Sequence, residues 1–258
     1  MGVLVAVVVA VGFVVVAPSS HQPAPSALPL RISGELALPG DDSRLDYGLD
    51  ADRGLLFIAH LGASEVLEVD VRAHRVVRTI PSLSQVHGVL VVPALHRVYA
   101  TATGSNLVVG LDEDTGEVLT RTPTGEYPDG LAYDPRRGAI WTTNETGGSE
   151  TVIDAVTGAA RGTVALGGEV GNVAYDPTGD QMLVAVQGHD ELAAIDPATL
   201  AVTRRVRLPG CEHSHGLSLD PGERTATQRS WKQHPLPRSA AVQAPLQLLL
   251  LCSCRLFF

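Results

Sequence analysis

Cysteine, lysine and aromatic residues are scarce in this sequence. Three cysteines among 258 residues cannot all pair with one another, which excludes a scaffold built on several disulfides. The only lysine is Lys232, and 28 acidic residues against 19 basic ones give a formal net charge of −9. A chain this acidic offers no positive surface to a phosphate backbone, so the sequence predicts no nucleic-acid partner.

Short catalytic motifs are missing as well. The sequence contains neither a Gly-x-Ser-x-Gly elbow nor a His-Glu-x-x-His pair. The glycine-rich stretches at residues 146–148 and 166–168 are not followed by helical periodicity, which a phosphate-binding loop requires. The sequence therefore supports neither nucleophilic catalysis nor nucleotide binding, and whether the protein is an enzyme stays open.

The N-terminus carries the one long apolar run. Residues 2–17 are almost entirely Val, Ala, Leu and Phe, and a segment rich in Pro, Ser and Ala follows. This length is typical of the apolar part of a signal peptide and is short of the roughly 20 residues of a spanning helix. We therefore expect a signal peptide at residues 1–20, a linker at 21–29 and export to the periplasm, cell surface or medium. A retained membrane anchor at residues 2–17 is the alternative.

A repeat of 42 residues dominates the rest of the chain. Asp70, Asp112, Asp154 and Asp196 are spaced by 42 residues, each after an apolar residue and before a turn. Aspartate caps such turns with its own side chain, so these four residues are interpreted as structural turn residues.

Each repeat also contains short β-branched and apolar segments, which align without gaps at residues 57–60, 99–102, 141–144 and 183–186. Four short strands per repeat cannot bury both faces of their sheet unless neighbouring sheets stack around an axis. The predicted fold class is all-β: an incomplete β-propeller over residues 30–224, with four complete four-stranded antiparallel blades and one further strand at each end. A β-sandwich gives no reason for such a repeat.

The repeat does not continue to the C-terminus. Residues 36–40 resemble residues 206–210, an outermost strand, and the strands that would join them should begin near Thr225. After Glu223, however, the sequence contains no acid, and residues 225–258 become basic, Pro-rich and finally apolar. They are interpreted as a non-repeat tail that is disordered or frameshifted. Open strand edges would then favour edge-to-edge self-association.

The repeat frame resembles a known family at two places. Residues 99–102, Tyr-Ala-Thr-Ala, precede Gly-Ser-Asn, and residues 141–144 read Trp-Thr-Thr-Asn. This frame resembles the YVTN-type repeat of YncE-like β-propeller proteins. The resemblance implies a propeller fold and export, and members of the family usually have seven blades.

The inner strands of a propeller line a central channel, and the residue before each repeat glycine should lie at its mouth. By this alignment the mouth residues are Tyr47, His87, Asp129 and His215. Imidazole and carboxylate groups together suit zinc or a similar divalent ion, so His87, Asp129 and His215 are candidate metal ligands. Solvated polar residues at a channel mouth are the other interpretation.

Two further places offer polar candidates. Cys211, His213 and His215 alternate, so an extended strand would point them to one face as metal ligands, whereas a loop with an ordinary thiol is the alternative. His60 and Asn144 share one position of the repeat. Asn144 fits the family frame and is interpreted as structural, while His60 departs from it and remains a binding candidate.

These observations predict an exported propeller that serves as a binding or scaffold module, with a small molecule or a protein at one face. No cofactor is predicted apart from the divalent ion. A membrane is a partner only through the N-terminal segment. The alternative function is a metal-dependent hydrolase, similar to propeller lactonases or esterases, with the ion in the channel.

Overall fold

The structure, a computed structural model, describes residues 34–41, 43–220, 225–230 and 253–257. The chain divides into two units, Met1–Glu35 and Leu36–Phe258, and every described strand lies in the second. The signal peptide or anchor and the linker expected at residues 1–29 lie outside the described residues. In the part of the chain that is described, no helix is long and apolar enough to cross a membrane.

The second unit consists of five antiparallel sheets whose strands follow chain order. The first sheet contains β1 (Leu45–Asp50), β2 (Leu55–His60), β3 (Glu65–Asp70) and β4 (Arg75–Ile80). The second contains β5 (Val86–Val92), β6 (Arg97–Ala102), β7 (Leu107–Asp112) and β8 (Val118–Pro123). The third contains β9 (Pro128–Asp134), β10 (Ala139–Asn144), β11 (Ser149–Asp154) and β12 (Ala160–Ala165). The fourth contains β13 (Val173–Asp176), β14 (Gln181–Val186), β15 (Glu191–Asp196) and β16 (Ala201–Arg207). The fifth contains β17 (Ser214–Asp220), β18 (Thr225–Ser230) and β19 (Ser253–Phe257).

Strand pairing repeats with the period of the sequence. Tyr47 pairs with Ile58, and the pairs one and two repeats later are Val89 with Ala100 and Leu131 with Thr142. A β-bulge recurs between the third and fourth strands of the four complete sheets. Because each bulge increases the local twist, the four complete sheets share one shape and can stack as blades.

The core lies between consecutive sheets. Phe57 of the first sheet packs with Val98 of the second, Tyr99 of the second with Ile140 of the third, and so on to the fifth. Each interior sheet is thus buried on both faces, as the repeat predicted. The β-propeller fold with four complete four-stranded blades is confirmed.

The repeated aspartates fix the turns between the third and fourth strands. Oδ1 of Asp154 accepts hydrogen bonds from the backbone N–H groups of Val156 (3.0 Å) and Thr157 (2.7 Å). The other three aspartates accept the same pair of bonds: Asp70, Asp112 and Asp196. These backbone hydrogen bonds lower the pKa of all four carboxyls, which is the behaviour expected of turn caps.

Both ends of the propeller differ from the sequence expectation. Residues 36–40, expected as an outermost strand, form no strand, and Leu38 instead packs against Ile58 and Leu67 of the first sheet. At the other end, β18 begins at Thr225, inside the segment that was interpreted as a disordered or frameshifted tail. The second strand of a fifth blade therefore starts where the repeat requires it, although its sequence no longer resembles the frame.

One face of the first sheet keeps large apolar side chains in solvent. Leu45, Tyr47 and Leu49 alternate along β1 and are 45%, 69% and 50% exposed. Their repeat equivalents Val89 and Val91 pack against the preceding sheet. The ring is therefore open at this face within the described residues, as an incomplete propeller requires.

Candidate functional site

Three of the predicted mouth residues lie at one structural feature of the inner strands. The pairing of β5 is interrupted around His87, that of β9 around Asp129 and that of β17 around His215. Such irregularities re-aim a side chain without ending the strand. Here they turn all three side chains to one place, and all three residues are buried.

Glycines allow the inner strands to approach at this level. A Cβ atom on Gly88 would lie 2.2 Å from the carbonyl oxygen of Asp129, and one on Gly171 would lie 2.5 Å from that of His215. The amide of Gly88 donates to Oγ1 of Thr101 (2.7 Å), which fixes this segment of β5. The repeat glycine therefore serves close packing around the channel.

Asp129 lies between the two histidines. Its Oδ1 is 3.5 Å from Nδ1 of His87, and its Oδ2 is 3.1 Å from Nε2 of His215. Burial alone would raise the pKa of Asp129, but the hydrogen bond from His215 and the charge of His87 hold it below its ordinary value. Asp129 is therefore an anion in the interior at neutral pH.

His87 is the least satisfied group of the cluster. It is 3% exposed, and neither of its ring nitrogens has a hydrogen-bond partner. Its ring meets that of Tyr127 edge to face, with centroids 5.6 Å apart. Burial lowers its pKa against the opposing effect of Asp129, so the imidazole is neutral and keeps a free acceptor nitrogen.

Two residues that sequence analysis did not select complete the cluster. Oε1 of Glu145 lies 3.9 Å from Nε2 of His215 and accepts a hydrogen bond of 2.9 Å from Nε2 of Gln187. Glu145 and Gln187 are 42 residues apart and directly follow the second strands of neighbouring blades. The repeat spacing was the available signal for them.

Tyr47 does not join the cluster. β1 pairs with β2 without a bulge, so its register places Tyr47 opposite Ile58, equivalent to Val89 and not to His87. Asp46 takes the inward place. Burial and the charge of Asp129 raise its pKa, and His87 acts on it in the opposite direction. The alignment of Gly48 with Gly88, 40 residues apart, was the source of this error.

His60 and Asn144 lie away from the cluster and have partners of their own. Nε2 of His60, a buried residue, is 2.9 Å from Oδ1 of Asp41. Nδ2 of Asn144 donates to the hydroxyl oxygens of Ser149 and Thr151, both at 3.0 Å. Each side chain thus fixes a neighbouring segment, Asp41 before the first sheet or β11 within the third.

Cys211 and His213 do not form a metal site with His215. Cys211 is fully buried and disulfide-bonded, so it has no thiolate to offer. His213 is exposed, and its backbone adopts a φ of 50° while its amide donates to Oδ1 of Asp190 (2.8 Å). The segment is a turn rather than a strand here, so the alternation that would align the three side chains does not apply.

The arrangement is suited to holding a cation. Among the described residues, Asp129, Glu145 and His215 each offer one ligand atom, and these atoms lie within 4.8 Å of one another. Asp46 adds a third carboxyl nearby, and Arg44, which is exposed, is the basic residue whose charge reaches the group. A neutral imidazole, His87, remains beside Asp129 as a hydrogen-bond acceptor.

No protein-family model and no curated protein matches the sequence. The fold, by contrast, resembles solved β-propeller structures. Virginiamycin B lyase from Staphylococcus aureus, crystallised with quinupristin, has a TM-score of 0.65 at 12% identity, over 75% of this chain and 66% of that one. A second streptogramin B lyase structure has a TM-score of 0.59 at 15% identity, over 73% and 70%.

A third neighbour is hydrazine synthase of Kuenenia stuttgartiensis, with a TM-score of 0.64 at 18% identity, over 80% of this chain and 62% of that one. This chain thus spans slightly less than two thirds of the length of the hydrazine synthase and virginiamycin B lyase chains. At these identities the likeness concerns the fold: this protein is a β-propeller.

Proposed function

We propose that this protein is an exported ligand-binding propeller of the YncE-like type, and that it binds a small cation at the channel mouth. The observation that carries the proposal is the buried meeting of Asp129, Glu145 and His215 with the unpartnered ring of His87. Buried polar groups are normally hydrogen-bonded, so a set that converges without saturating itself indicates a place for a ligand.

The sign of the charge selects a cation. Three carboxyl groups, of Asp46, Asp129 and Glu145, meet two imidazoles at the mouth. The chain as a whole has a net charge of −9, and its field attracts cations toward an acidic cleft. A small anion or a nucleic acid would meet repulsion in the same place.

Export rests on two features. The apolar run at residues 2–17 with its Pro/Ser/Ala linker fits a secretion signal, and the disulfide at Cys211 fits an oxidising compartment. A fusion of residues 1–29 to a reporter that is active only outside the cytoplasm tests this part. Activity is expected, and a reporter that stays inactive inside the cell would contradict export.

Cation binding is tested by isothermal titration with spermidine and, separately, with MnCl2 at fixed ionic strength. We expect saturable binding of at least one of them, abolished by Asp129→Asn. Glu117→Gln removes the same charge from an exposed turn and is the matched control. Binding of neither cation, or equal losses in both variants, would refute the proposal.

A metal-dependent hydrolase of the lactonase or esterase type is the second candidate. It is favoured by the neutral ring of His87, which is placed beside Asp129 and can accept a proton from a water molecule. A divalent ion lowers the pKa of a bound water, which is the chemistry that such an enzyme needs. Hydrolysis of p-nitrophenyl acetate or a γ-lactone that depends on Mn²⁺ and disappears in His87→Phe would support it.

A further inference from the structure

We infer that the channel mouth is a binding site for one divalent transition-metal ion, with Asp129, Glu145 and His215 as its protein ligands. This inference rests on the proposed function, since it names the cation. It differs from the ligand set expected from the sequence, because Glu145 replaces His87 among the ligands. His87 then serves as the hydrogen-bond acceptor for whatever occupies the open position of the ion.

The distances fit such an ion. Ligand atoms about 2.1 Å from zinc are roughly 3.4 Å apart in a tetrahedral shell. Nε2 of His215 lies 3.1 Å from Oδ2 of Asp129 and 3.9 Å from Oε1 of Glu145, values on either side of that separation. Side-chain shifts of a few tenths of an ångström would therefore complete the shell.

The surroundings already orient the ligands. Gln187 donates to Oε1 of Glu145, and the amide of Gly88, beside His87, is tied to Thr101. Such outer contacts set the direction of ligand side chains and normally accompany metal sites. The three ligands come from β9, the end of β10 and β17, so the site links the third and fifth sheets.

His87 supplies an independent indication. A neutral imidazole that is 3% exposed and has no partner at either nitrogen would cost free energy if nothing occupied the space beside it. Its Nδ1 is 3.5 Å from the oxygen of Asp129 that does not face His215. A water or ligand group on the ion would give this ring the hydrogen bond it lacks.

The ligand types distinguish among metals. Two carboxylates alone would suit Mg²⁺ or Ca²⁺, whereas an imidazole ligand shifts the preference to Mn²⁺, Fe²⁺ or Zn²⁺. Three protein ligands leave at least one coordination position open, which is the arrangement of reactive or ligand-exchanging sites rather than closed structural ones. The site is therefore suited to present an ion to a second, small ligand.

The test uses the folded full chain after treatment with a chelator. Mn²⁺ binding is followed by loss of the free-ion signal in electron paramagnetic resonance, and Zn²⁺ competes in the same titration. We expect one site per chain, displacement by Zn²⁺ and none by a tenfold excess of Mg²⁺ or Ca²⁺. More than one equal site, or displacement by Mg²⁺, would overturn the inference.

Variants locate the ion. Glu145→Gln is isosteric and keeps an acceptor for Gln187, so it should fold and bind Mn²⁺ on the order of 100-fold more weakly. His87→Gln should weaken binding by roughly 10-fold, as an outer contact does. His213→Asn is the matched control because this exposed ring lies two residues from His215, and it should leave binding unchanged.

Failure of the inference is distinguishable from failure of the proposed function. If spermidine binds and is lost in Asp129→Asn while Mn²⁺ and Zn²⁺ do not bind, the mouth takes an organic cation and the metal inference is wrong. If His213→Asn weakens Mn²⁺ binding as much as Glu145→Gln, the ion lies elsewhere and the inference is also wrong.

Discussion

Replacing Glu150 by leucine should stabilise the protein. Glu150 is fully buried in β11, and neither of its carboxyl oxygens has a hydrogen-bond partner. At the same position of the other three complete blades the residues are Val66, Val108 and Leu192, each buried against the following sheet. The repeat therefore shows that an aliphatic side chain fits where this carboxyl group lies.

The expected gain follows from two effects. A buried polar group without a partner costs about 1–3 kcal/mol. Burying a leucine side chain contributes about 1.5–3 kcal/mol, reduced by about 1.5 kcal/mol or less for imperfect shape. We expect a net gain of roughly 2 kcal/mol, which for a domain of this size raises Tm by about 4–8 °C.

The gain should also depend on pH. Burial raises the pKa of Glu150 well above its ordinary value of 4.5. A raised carboxyl pKa means that the folded state binds the proton more tightly, so stability is fully present below pH 4.5 and is lost as pH rises toward the folded pKa. The advantage of Glu150→Leu over the unmodified protein should therefore grow between pH 4.5 and pH 8.

The assay is urea unfolding followed by circular dichroism at several pH values, with Glu150→Gln as the control. The glutamine variant cannot titrate but stays polar, so it should lose the pH dependence without the full gain in stability. Comparing each variant with the unmodified chain at the same pH cancels the other titrating groups. A leucine variant that is less stable at pH 7, or a gain that does not change with pH, would refute the reasoning.

Four other predictions concern the turns, the channel, a second buried acid and the open face. Asp112→Ala should lower the unfolding free energy by about 1–2 kcal/mol, since Oδ1 accepts three hydrogen bonds, and Asp112→Asn should lose less; urea titration measures both. Gly88→Ala should cost about 2 kcal/mol and weaken Mn²⁺ binding, because its Cβ would lie 2.2 Å from a carbonyl oxygen; unchanged binding would contradict the packing argument. Burial and a hydrogen bond with Asp50 raise the pKa of Glu113 to about 7, so its stabilising contribution is lost as pH rises from 4.5 through 7; Glu113→Gln should flatten that decline in unfolding titrations. Tyr47→Lys should reduce self-association of the open face in sedimentation velocity, and an oligomer that persists would show that this face is not the contact.

The repeat made most of the fold predictable. Apolar and β-branched residues recur every 42 positions, and a sheet pattern that repeats without gaps leaves few architectures other than a propeller. The strand at Thr225–Ser230 was missed for the opposite reason, because its residues carry neither the alternation nor the turn aspartate of the frame. Only its place in the period indicated it.

The site was predictable in part. His87, Asp129 and His215 share a repeat position, so the period alone brought them to one level of the channel. Tyr47 was included wrongly because β1 lacks the irregularity that turns the other three side chains inward, and sequence does not reveal a missing bulge. Glu145 was passed over because its contact with His215 depends on side-chain length and direction, which a strand pattern does not specify.

The central claim is that a divalent transition-metal ion binds between Asp129, Glu145 and His215. The most direct measurement is a crystal structure of the protein grown with MnCl2 or ZnCl2, with anomalous diffraction data collected at the absorption edge of the metal. The account predicts one strong anomalous peak within about 2.2 Å of one oxygen of each carboxylate and of Nε2 of His215. A map without a peak at the channel mouth, or with its strongest peak beside other residues, would contradict it.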